Sequence, residues 1–90
     1  EVYMLPQKCP SCENILSVKR LCCEKCNTEV EGLYQMPVLA SLSNAHQEFI
    51  IQFIKASGSL KEMAEIKKLS YPTVRNQLNE IIDAIKEKEK

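Results

Sequence analysis

The chain has 90 residues, enough for one domain or two very small ones. A hydrophobic fraction of 44% with 27% charged residues is globular composition and excludes a disordered chain. Twelve Lys and Arg balance twelve Asp and Glu, so the protein as a whole is not drawn toward nucleic acid, and any such binding must rest on a local patch.

No apolar run approaches the roughly 20 residues of a membrane span and no signal peptide is visible, so a cytoplasmic location is expected. The chain begins at Glu1 without an initiator Met, as a trimmed product or a chain that has lost a tag would. The aromatic residues are Tyr3, Tyr34, Phe49, Phe53 and Tyr71, too few for a large aromatic ligand cage. Five cysteines are an odd number for a secreted disulfide framework and suit metal-bound thiolates in a reducing compartment.

Four of those cysteines form two C-x2-C pairs, Cys9/Cys12 and Cys23/Cys26. A two-residue spacer lets both thiolates of a pair reach one ion, and two such pairs make a tetrahedral sulfur site. Four sulfur ligands leave no open position for water, so a structural Zn2+ is expected. Structural zinc is worth on the order of 10–16 kcal/mol in small peptides, which a segment this short needs. Four zinc-bound thiolates would also carry the net charge about two units below zero. A redox dithiol needs only one pair, and Pro10 and the second pair speak against it. A rubredoxin-like iron site uses the same four sulfurs, so ligand type alone leaves iron open. Cys22-x3-Cys26 could also reach a metal, but Cys23 restores the symmetry of the pairs, which leaves Cys22 as a spare thiol.

Around the cysteines, Asn14 to Leu21 and Thr28 to Tyr34 are short β-prone runs. They predict two or three antiparallel strands with a turn at each cysteine pair, a zinc ribbon over residues 1–36. A linker is expected near Tyr34 to Leu39. From residue 37 to 90 the pattern becomes helical.

Leu42, Ala45, His46, Phe49, Ile50, Phe53 and Ile54 recur at helical spacing and predict a first helix over 42–56. Ser43 can cap it and Ser57-Gly58 can end it; Leu39 and Ile51 fall off its stripe. His46, the single histidine, is read as a packing or surface residue. A second helix is predicted from Ser59, where Ser59 and Glu62 fit a capping box. Its inward residues are Leu60, Met63, Ala64 and Ile66, and it should end near Lys68. A third helix is predicted from Ser70 as cap, with Pro72 in the first turn and Val74, Leu78, Ile81, Ile82 and Ile85 as its apolar stripe. It can continue into the Lys86–Lys90 tail of alternating charge, a solvated end.

A short capped helix, a tight turn at Lys68-Leu69 and a longer capped helix make a helix-turn-helix. Small Ala64 and β-branched Val74 suit the close crossing of the two. In this motif the second helix enters the DNA major groove with its N-terminal residues toward the bases. Here those are Ser70, Tyr71, Pro72, Thr73, Arg75, Asn76 and Asn79, with Lys67 and Lys68 beside them. Arg can fork onto guanine and Asn onto adenine, while Ser70 and Thr73 suit phosphate. Ile66 to Asn79 contains no acid.

The stretch Gly58 to Leu78 resembles the helix-turn-helix of bacterial transcription regulators and is similar to region four of sigma factors and to response-regulator output domains. The chain from about residue 5 to 85 resembles a bacterial family of short proteins. In that family a CPxC…CxxC zinc ribbon precedes a segment like FIIQFIKASGSLKEMAEIKKLSYPTVRNQL. The resemblance implies a small α+β protein acting as a transcriptional regulator. Lys68 departs from the Gly that many such turns carry, which demands a left-handed lysine or a different turn.

Two functions from different classes follow. One is a DNA-binding transcriptional regulator, with a homodimer presenting two reading helices. The other is a protein-interaction adaptor associated with transcription, with the ribbon as its contact surface, favoured by the zero net charge. An enzyme is not expected, since no catalytic base accompanies the thiols and His46 lies in another segment.

Overall fold

The structure, a computed structural model, describes residues 5–89. Tyr3 and Lys90 of the charged tail lie outside them. Two strands are followed by four helices: β1 (Val18–Cys22), β2 (Glu29–Tyr34), α1 (Val38–Ser41), α2 (Asn44–Lys55), α3 (Leu60–Lys67) and α4 (Tyr71–Lys88). The expected first, second and third helices are α2, α3 and α4. The chain divides into two compact units between Ser41 and Leu42, later than the 36/37 boundary read from the sequence.

In the first unit, β1 and β2 pair antiparallel, with Arg20 opposite Glu31, Leu21 opposite Val30 and Cys22 opposite Glu29. The register slips between Val18 and Arg20, so Val18 meets Tyr34. One residue of β1 thus faces two of β2, Gly32 and Leu33, as in a β-bulge. The bulge suits Gly32, where a Cβ would sit 2.9 Å from Cζ of the Tyr34 ring. An isolated antiparallel bridge, Lys8 to Ile15, precedes the hairpin. Among the described residues, every buried apolar side chain lies at Leu42 or beyond, so the ribbon has no apolar core of its own. Even the cross-strand pair Leu21 and Val30 is 57% and 48% exposed. A two-stranded hairpin without a packed face is at best marginal in water.

The expected linker contains one helical turn, α1. Pro37 begins it: the Ser41 N–H donates to the Pro37 carbonyl at 2.9 Å, and the Ser41 hydroxyl donates to the Val38 carbonyl at 2.7 Å. Proline's fixed φ suits a helix start.

The second unit holds α2, α3 and α4 around one core of Leu42, Phe49, Ala56, Leu60, Met63, Ala64, Val74 and Ile81. Each helix begins at a serine whose hydroxyl accepts a backbone N–H three residues on. Ser43 accepts from His46 at 3.2 Å, Ser59 from Glu62 at 3.1 Å and Ser70 from Thr73 at 3.3 Å. The helix stops are equally local. Beyond α2, Ser57 takes φ 55° and Gly58 φ 78°, while their N–H groups donate to the carbonyls of Ile54 and Phe53. Beyond α3, Lys68 takes φ 58°, its N–H donates to Glu65, and the Leu69 N–H donates to Ala64. Both endings have the paired bonds of a Schellman motif, which satisfies the last helical carbonyls.

Three apolar residues assigned inward from periodicity lie outward. Ile54 is 70% exposed, Ile66 is exposed and Ala45 is exposed. Spacing identifies a face of the helix, but the neighbours decide how wide a strip is covered; on this strip Ala56, just past α2, is buried while Ile54 is not.

Candidate metal centre and nucleic-acid interface

The two cysteine pairs sit on turns that repeat with a 14-residue offset. In the first, the Cys9 N–H donates to the Asn14 carbonyl at 2.8 Å and the Glu13 N–H to the Cys9 carbonyl at 2.9 Å. In the second, the Cys23 N–H donates to the Thr28 carbonyl at 2.8 Å and the Asn27 N–H to the Cys23 carbonyl at 2.7 Å. The residue after each second cysteine is left-handed, Glu13 at φ 64° and Asn27 at φ 61°. The strand pairing carries the same offset: Lys8 opposite Ile15 precedes the first turn, and Cys22 opposite Glu29 precedes the second. Cys22 therefore occupies the place of Lys8, a strand residue ahead of the turn, and Cys23 occupies that of Cys9.

Each turn points polar hydrogens at sulfur. The Ser11 N–H donates to Cys9 Sγ at 3.4 Å, and Asn14 Nδ2 donates to Cys12 Sγ at 3.5 Å. The Thr28 hydroxyl lies 3.0 Å from Cys26 Sγ. The Cys9 thiol is held below its ordinary pKa, first by the backbone N–H of Cys12 and then by that of Ser11. The Cys26 thiol is held low as well, first by the Thr28 hydroxyl and then by the Thr28 backbone N–H. Hydrogen bonds of this kind favour thiolate, the form that binds metal. Lesser contributions come from within each pair, Cys12 on Cys9 and Cys23 on Cys26. Among the described residues, no group of three or more His, Cys, Asp or Glu side chains is placed to hold an ion. The donor set, four sulfurs in two matched turns, is of the kind that suits a tetrahedral soft-ligand metal. Sequence reasoning missed Asn14 and Thr28, yet their signal is present in the repeat CPSCEN and CEKCNT.

In the second unit, Lys67, Lys68, Ser70, Tyr71, Pro72, Thr73, Arg75, Asn76 and Asn79 are all exposed. Val74 is the buried member of this stretch and seats the first turn of α4 on the core. Three of the nine have internal duties. The Ser70 hydroxyl caps α4 and is 2.7 Å from that of Thr73, so both are partly committed to the helix start. Lys67 Nζ lies 4.8 Å from the centroid of the Phe49 ring, which fixes the direction of its stem. Lys68 is the left-handed residue of the turn, so the helix-turn-helix forms without a glycine there. His46 lies with Lys67, Gln77 and Glu80 along a cleft of about 200 Å3. Among the described residues, no helix is long and apolar enough to cross a membrane.

Paired cysteine turns, one ahead of a β-hairpin and one at its tip, joined to a three-helix unit with a capped helix-turn-helix, define a small α+β protein of the zinc-ribbon and helix-turn-helix class. Two family models match it: the DUF2089 zinc ribbon over residues 9–40, and the domain of unknown function (DUF2089)-HTH over residues 42–88. The chain belongs to this family. No curated protein and no solved structure matches it.

Proposed function

We propose that this protein is a DNA-binding transcriptional regulator of the cytoplasm, without enzymatic activity, in which α4 reads the major groove. The observation that carries the reading is the run from Ile66 to Asn79, acid-free in sequence, which includes the capped start of α4 and in which Lys67, Lys68, Arg75, Asn76 and Asn79 are all exposed. Arg and Asn are the side chains that match guanine and adenine edges in two hydrogen bonds. The lysines and the Thr73 hydroxyl suit phosphate. In this reading Cys9, Cys12, Cys23 and Cys26 hold one structural Zn2+. The metal supplies the cohesion that the ribbon's exposed strands lack, and takes no part in chemistry. Two copies, meeting through surfaces that include exposed Ile51, would set their reading helices about 34 Å apart on two half-sites. The test is selection of genomic fragments by the zinc-loaded protein: enrichment of a common site supports the reading, and no enrichment at low salt overturns it.

Two observations favour a second reading, an adaptor within the transcription machinery. The formal charge is zero, and the ribbon shows Leu21, Val30 and Leu33 to solvent, a surface suited to a protein partner. In that case duplex affinity is absent at every salt concentration.

A further inference from the structure

The two turns match in their side chains as well as their backbones. The residue two places after each second cysteine, Asn14 in one turn and Thr28 in the other, has a polar side-chain atom on the sulfur of that cysteine, at 3.5 and 3.0 Å. A metal-bound thiolate has no proton, so it can only accept; the Thr28 hydroxyl must then donate, as the Asn14 amide already does. Four thiolates around a divalent ion leave a surplus of two negative charges, and these turns have no apolar wall to shelter them, since Cys12, Cys23 and Cys26 are exposed. Donors aimed at sulfur spread that charge and fix the side-chain rotamer. Partners of this kind commonly command about 10–100-fold in metal affinity.

We infer that Asn14 and Thr28 are a matched pair of positioning residues, each orienting one cysteine of a four-thiolate centre and drawing charge from its sulfur. The inference rests on the four-thiolate reading of the ribbon. It also assigns the roles within each pair: Cys12 and Cys26 carry a side-chain donor, whereas Cys9 receives the Ser11 backbone N–H. Substitution of Thr28 or Asn14 should therefore alter the centre while leaving the backbone bonds of the turn in place.

The experiment uses the full chain with Co2+ as a spectroscopic probe and Zn2+ competition against a chromophoric chelator. Thr28→Val keeps the shape and removes the hydroxyl. It should lower affinity for both ions about tenfold and move the sulfur-to-cobalt charge-transfer band to lower energy, because the sulfur electrons are then less stabilised. Thr28→Ser should restore both properties. Asn14→Leu should shift the band in the same direction, an independent check should Thr28→Val fold poorly. Parent-like affinity and spectrum in both Thr28→Val and Asn14→Leu would overturn the assignment, as would a Thr28→Ser variant no better than Thr28→Val. A parent protein that binds no Co2+ or Zn2+ would instead defeat the four-thiolate reading beneath it.

Discussion

Lys67 Nζ stands 4.8 Å from the centre of the Phe49 ring, joining the last turn of α3 to a core residue of α2. Phe49 is 3% exposed, so the cation rests against an aromatic that is otherwise sealed inside the unit. An exposed cation–π contact contributes about 0.5–1 kcal/mol. Lys67→Ala should lower the stability of the helical unit by that amount, measured by urea denaturation. In a DNA salt series it should also flatten the dependence of log K on log salt by about 0.9, the share of one phosphate contact.

Lys68 occupies a left-handed position, φ 58°, that costs a side chain roughly 1–2 kcal/mol. Lys68→Gly removes that strain but gains freedom in the unfolded chain, so the net stabilisation should be about 0.5–1 kcal/mol. A domain of this size should then melt about 2–8 °C higher. The same variant loses a cation from the reading surface and should bind duplex less tightly. Stability and affinity should move in opposite directions, which differential scanning calorimetry and a binding titration would detect together.

The 14-residue match of the two turns assigns Cys23, not Cys22, as the counterpart of Cys9. Cys22→Ser should keep one equivalent of tightly held metal. Cys23→Ser should weaken binding by more than the roughly 10–100-fold that outer partners command. Metal content by mass spectrometry under native conditions distinguishes the two.

Stripping the metal should melt the units unequally. The ribbon has no buried apolar side chain among the described residues, whereas the helical unit has a core that includes fully buried Val74. A strong chelator should collapse amide protection at Leu21, Val30 and Cys23 while protection at Met63 and Ile81 persists, as read by hydrogen exchange. Met63→Ala should do the reverse, costing the helical unit about 2–5 kcal/mol and leaving metal affinity unchanged.

Features that depend on near neighbours in the chain were legible from residue types alone. Ser43, Ser59 and Ser70 cap their helices because each has a backbone N–H three residues ahead. Lys68 required either strain or another turn, and the chain accepts the strain. Features that depend on how elements cover one another were not legible. Ile54 and Ile66 keep helical spacing but have no neighbour over them. The turn of α1 was hidden by its length, four residues, too short for any period to show. Asn14 and Thr28 are not metal-ligating residue types, so ligand spacing does not single them out, although the repeat CPSCEN and CEKCNT sets them at matched places.

On the proposed function, the acid-free opening of α4 holds duplex DNA. The most direct measurement is the affinity of the zinc-loaded protein for its selected fragment across a salt series, beside Arg75→Ala. Affinity should fall steeply with salt, with a further loss of about 1–3 kcal/mol in the variant and relaxed discrimination at one base pair. Equal, salt-independent or undetectable binding by both proteins would contradict that function.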